Sequence, residues 1–216
     1  MADRLVCVAM EEEAEAVLGE REAEAEAVGE VLGRPVYSCG DSLVVVTGIG
    51  RSNAAASVSL ALERYDIEKV VDAGIGGAFR DTAVEVGDVV MGTRAVHADL
   101  GLTSDEFHGM EDLGFETAPG RYNEYDLSPV NVETDASGGV ATVSSVSAND
   151  GTAREIRERT GAVVEDMETA GVAQVCYLRD VEVSAVIAVS NYTGDEGEWD
   201  FKRGLDSLSD AVDAII

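Results

Sequence analysis

Oxygen-bearing side chains gather where the apolar runs of this chain end. Residues 5–9 are followed by Met10-Glu11-Glu12-Glu13, and the stretch "VVEDMETAGVAQVCYL" carries Met167 and Glu168 at the mouth of an apolar helix. A third apolar run, residues 183–189, delivers Ser190-Asn191. A carboxylate in such a place can take a proton from water or accept hydrogen bonds from hydroxyls. A carboxamide offers two donors and one acceptor to a ligand. Each feature also has a plainer account. Acids in a helix's first turn favour the macrodipole, which covers Glu11, Glu12 and Glu13 and equally Glu165 and Asp166. Asn191 could simply form a turn. Glu168 resists that account, because helical spacing aligns it with Val172, Val175 and Cys176, where a lone acid is costly.

Two glycine stretches follow apolar runs, Gly48-Ile49-Gly50 and Gly74-Ile75-Gly76-Gly77. Both read as turns, either plain ones or ones whose backbone could approach and cradle a ribose or a phosphate. Neither fits the dinucleotide or P-loop fingerprint.

The elements that must hold these groups alternate in type. Strands are expected at 5–9, 36–38, 43–46, 70–73, 86–91, 140–146, 162–165 and 183–189, with a hairpin around Gly40-Asp41. Helices are expected at 11–28, from Arg51 to about Tyr65, and at 151–160, 166–178 and 203–216. Residues 97–138 read as an excursion over one face. The pattern predicts one α/β domain over residues 1–216 with a largely parallel core.

Composition narrows the function. The 216 residues carry 43 Asp plus Glu against 15 Lys plus Arg, a formal charge of −28, and only Lys69 and Lys202 are lysines. Such a surface repels nucleic acid and anionic membranes. With 45% hydrophobic residues the chain can bury a core, so the acidity reads as adaptation to a salt-rich cytoplasm. No leader or membrane span is visible. Cys7, Cys39 and Cys176 read as reduced buried thiols, and no metal or cofactor is expected.

Taken in order, "AMEEE", "TGIG" before a long helix, the Gly-Ile-Gly-Gly stretch followed by "VGDVV", and "MET" before "SN" resemble the nucleoside phosphorylase and nucleosidase family. The N-terminus and the "ME" helix are similar to its methylthioadenosine/S-adenosylhomocysteine nucleosidase branch, which has Ser-Asp at Ser190-Asn191. "SNYTG…W" and "HADLG…GMEDLGFE" at 97–116 resemble the futalosine hydrolase branch, which releases hypoxanthine from an intermediate of menaquinone biosynthesis. The resemblance implies a three-layer α/β/α fold with a central mixed sheet, and a cytoplasmic hydrolase acting on a purine nucleoside and water, as a homodimer. Glu13 would activate the water, and Met167 and Glu168 would hold the ribose. Gly48, Gly50, Ile75 and Gly76 would line its surroundings, and Ser190 with Asn191 would bind the base. A loop through Trp199 would cover it. The phosphorylases' basic phosphate motif is not seen near the N-terminus. The chain departs from the nucleosidases at Ile187, where an Arg is expected, and no aromatic stands at 146–150 to stack on the purine.

Overall fold

The computed structural model describes residues 2–194 and 199–215. Chain order runs β1 (Arg4–Val8), α1 (Glu11–Leu18), β2 (Glu26–Val31), β3 (Arg34–Cys39), β4 (Ser42–Val46), α2 (Arg51–Arg64), β5 (Lys69–Ala78) and β6 (Val89–His97). The excursion contributes β7 (Gly101–Thr103), β8 (Phe107–Gly109), α3 (Met110–Leu113) and β9 (Glu124–Asp126). Then come β10 (Ala136–Thr142), α4 (Asp150–Thr160), β11 (Ala162–Asp166), α5 (Thr169–Arg179), β12 (Glu182–Tyr192) and α6 (Phe201–Val212).

One mixed sheet runs β11-β10-β6-β12-β5-β1-β4-β3-β2, with β9 paired to β6. It also closes on itself, because β11 pairs antiparallel with the end of β5. Strands β5, β12, β6, β10 and β11 therefore form a ring. Its filling is aliphatic: Ala78, Val90, Val140, Val164, Ile187 and Val189. Outside the ring, Val6, Val8, Val71 and Val186 pack beneath α1 and α6, while Leu5, Cys7, Val70 and Ala185 pack with residues of α2 and α5. This is the expected three-layer arrangement, with helices on both faces of the sheet.

Several elements differ from the sequence reading. The helix expected over 11–28 stops at Leu18, where Gly19 takes φ +51°. Residues 19–24 form a 3-10 helix, and Glu26–Val31 becomes an edge strand against β3. The Gly74–Gly77 stretch is not a turn, since β5 runs through it unbroken to Ala78. Glycine is needed there for closeness: a Cβ on Gly76 would come within 2.7 Å of the Glu165 carbonyl and 2.8 Å of Ile187 Cγ2. β6 and β10 are displaced from 86–91 and 140–146, their register set by pairing with each other through a bulge. Helix α5 begins at Thr169, not at 166, because ring closure holds Glu165 and Asp166 in β11.

Candidate active site

A cavity of about 210 Å³ opens beyond the ends of β1 and β12, beside the glycine half of β5. Carboxyl ends of strands are where open α/β sheets bind ligands. Glu13, Ile75, Gly76, Met167, Glu168, Ser190 and Asn191 all line it. They come from four separate stretches of chain, so the fold assembles them.

Glu13 is the one buried member of its acidic triplet; Glu11 and Glu12 are exposed. Its turn geometry explains the selection. Oε2 accepts from the Ala9 and Met10 amides at 2.7 and 3.0 Å, and Oε1 accepts from the Ile75 amide at 3.0 Å. The carboxyl thus ties α1 to β5. Burial raises its pKa above the ordinary carboxylate value, against the lowering effect of these three donors.

Glu168 lies before the first residue of α5 with φ −124° and ψ −48°, not on the helix's apolar face as expected. Oε1 accepts from the Gly50 amide at 2.6 Å and Oε2 from the Met167 amide at 3.2 Å. Burial, then the nearby Asp166 charge, raises its pKa to about 8. Gly50 thereby serves the site through Glu168, and it does not line the cavity. Gly48 does not line it either; at φ +84° it lies against the Arg34 guanidinium, which a Cβ would meet at 2.5 Å.

Asn191 ends β12 after a bulge that registers it against Gly77. The Ser190 hydroxyl donates to Asn191 Oδ1 and Asn191 Nδ2 donates to the Tyr192 carbonyl, both at 3.0 Å. The same hydroxyl lies 3.3 Å from the Gly76 carbonyl, so it is shared between two acceptors, and one N–H of Asn191 Nδ2 is left for a ligand.

Two residues read as plain helix acids belong to the site. Glu165 is 3% exposed and lines the cavity, with Oε1 2.8 Å from the Ser147 amide and Oε2 2.5 Å from the Ser147 hydroxyl. Burial raises its pKa, opposed by those two bonds. Asp166, also lining the cavity, accepts from the Thr142 hydroxyl at 2.6 Å and the Thr169 amide at 2.7 Å. Val164 lies inside the ring, so Glu165, the next residue of β11, points the other way.

No aromatic comes from 146–150, where Val146 lines the cavity. Trp199 and Phe201, from the start of α6, line it instead and stack with ring centroids 5.1 Å apart. The loop proposed as a cover includes 195–198, which lie outside the described residues. Ile187 is sealed inside the ring. Arg51 pairs with Asp99 at 2.6 Å, and Arg80 lies over the Tyr192 ring, so neither supplies the missing guanidinium to the cavity. Among the described residues no basic side chain lines the cavity, and no cluster suited to a metal ion occurs.

Fold and cavity together define an α/β protein with an acid-rich binding pocket beyond its strand ends. Residues 3–216 match the model of the phosphorylase superfamily. The chain belongs to that superfamily. It is 36% identical over 185 residues to a futalosine hydrolase of Streptomyces coelicolor, covering 78% of this chain and 76% of the relative. It is 31% identical over 177 residues to a 5′-methylthioadenosine/S-adenosylhomocysteine nucleosidase of Bacillus cytotoxicus, covering 77% and 75%. Among solved structures, the corresponding nucleosidase of Neisseria meningitidis, in complex with methylthio-immucillin-A, superposes with a TM-score of 0.79 at 21% identity, over 97% of this chain and 94% of that one. A futalosine hydrolase mutant of Helicobacter pylori gives 0.79 at 17% identity, over 97% and 95%.

Proposed function

We propose that this protein is a nucleosidase that hydrolyses the N-ribosidic bond of a 6-oxopurine nucleoside, futalosine, releasing hypoxanthine in menaquinone biosynthesis. The observation that carries the choice of base is the bonding of Asn191. One N–H of its amide is left for a ligand, a donor that suits N7 or O6 of a 6-oxopurine and opposes the amino group of adenine. Glu165 supports the same reading. Glu165 and Asn191 are both registered to Gly77, one from each neighbouring strand, about 10 Å apart at the usual strand spacing. A carboxylate acceptor and an amide donor across that slot match the N1–H and O6 edge of hypoxanthine.

Glu13 activates the attacking water, and Glu168 accepts from the ribose hydroxyls while Met167 packs on the sugar. Phe201 and Trp199 supply the apolar surface for the base. Cleavage passes through an oxocarbenium-like sugar, whose positive charge the buried carboxylates stabilise. Among the described residues four acids and no basic side chain line the cavity, an environment that disfavours a phosphate dianion and supports water as nucleophile.

The second reading, a methylthioadenosine/S-adenosylhomocysteine nucleosidase, is favoured by the Bacillus relative. The test incubates the protein with futalosine, inosine and methylthioadenosine, with and without phosphate, and follows the free base by chromatography. Hypoxanthine release from futalosine without phosphate is expected. Adenine release without hypoxanthine would transfer the assignment to the second reading, and an absolute phosphate requirement would make the protein a phosphorylase. Binding of nucleosides with no release would make it a binding protein.

A further inference from the structure

Beneath the cavity floor lies a second layer of acid that the reaction does not touch. Asp72, in the middle of β5, is 5% exposed and faces the α5 side of the sheet. The Thr169 hydroxyl oxygen is 2.7 Å from Asp72 Oδ2 and 2.6 Å from Asp166 Oδ2. That hydroxyl has one hydrogen and cannot donate fully to two carboxylates. Two buried carboxylates around one hydroxyl, with no cation between them, do not both stay ionised. One of the two therefore carries a proton, through which it donates to Thr169.

The surroundings decide which. Asp166 accepts from the Thr142 hydroxyl and from the Glu168 and Thr169 amides, at 2.6, 3.1 and 2.7 Å, and such donors favour the anion. Asp72 has the Thr169 hydroxyl as its partner. The titratable groups facing it are the Cys7 thiol from β1, the Cys176 thiol from α5, Asp166, Glu168, and Glu13 from α1. Ala185 is opposite it on β12. Every one of those neighbours is neutral or acidic.

We propose that Asp72 holds a structural proton that it shares through Thr169 with ionised Asp166, and that it is thereby a positioning residue for Glu168. Asp166 Oδ2 holds the Glu168 amide, so the cap that sets the backbone of Glu168 depends on Asp166 staying in place. A second negative charge at Asp72 would push that cap apart.

Asparagine mimics a protonated aspartic acid, since its NH2 can donate to Thr169, whereas leucine of similar size cannot. Asp72→Leu is expected to lower kcat/KM on the nucleoside by at least about tenfold. Asp72→Asn is expected to restore it to near the parent value and to move the alkaline limb of its pH profile up by about one unit or more. Asp166→Asn, which removes the anion, is expected to be as damaging as the leucine variant. A second measurement needs no catalysis. An acid whose folded pKa is raised costs stability progressively as pH climbs from its unfolded value through the folded one. The melting temperature of Asp72→Asn should therefore exceed the parent's by a margin that widens from pH 4 upward. An asparagine variant as inactive as the leucine one, or a melting difference independent of pH, overturns the proposal. The melting arm stands even if the nucleosidase reading itself fails.

Discussion

Three neighbouring glutamates, Glu11, Glu12 and Glu13, differ only in what the backbone does around them. Three amides converge on Glu13, and none of the same kind reaches the other two. A buried base of this sort works when ionised. Because burial raises its pKa, kcat/KM should rise with pH across an acid limb displaced above the usual carboxylate value. Glu13→Gln should lower kcat by roughly 10²–10⁴-fold with KM little changed. An unaltered pH–rate profile and kcat in that variant would remove Glu13 from the reaction. Glu13, Met167, Glu168 and Asn191 were legible because each follows an apolar run in a recognisable order. Glu165 was not: whether it begins a helix or ends a strand depends on the antiparallel pairing with β5, which no local pattern encodes.

At the scale of elements, β5 joins everything. It pairs with β1, β12 and β11, and its amide at Ile75 reaches Glu13. The alternation of strands and helices made the class legible, since buried strands read as apolar runs between helical periods. The ring closure was hidden, because three glycines within four residues look like a break. They are instead the thin wall that lets β11 approach. Gly76→Ala should destabilise the protein by about 1–3 kcal/mol, an overpacking cost, as read from urea denaturation. A neutral result would mean that β11 and Ile187 can shift to admit a methyl group.

The whole molecule carries a net −28, a figure that already counts the arginines ion-paired on its surface. Self-repulsion of this size weakens as the screening length shrinks from about 10 Å at 0.1 M salt to about 3 Å at 1 M. Raising potassium chloride across that range should stabilise the fold by about 2 kcal/mol, about 4–8 °C in melting temperature for a chain of this length. A melting curve indifferent to salt would count against salt adaptation. Among the described residues no helix is long and apolar enough to cross a membrane. Homodimerisation, which the resemblance implies, should appear in light scattering as about twice the 22.6 kDa chain mass.

The ring sealed around Ile187 has one more consequence. Ile187 is aliphatic where an arginine is expected, no basic side chain lines the pocket among the described residues, and burial raises the pKa of Glu13, Glu165 and Glu168. In the proposed reaction the substrate's own sugar, as it turns cationic, would serve as the counter-ion. A stable, positively charged ribose mimic should therefore drive protons into the buffer as it binds, and should bind more tightly as the pH rises towards 8, where Glu168 ionises.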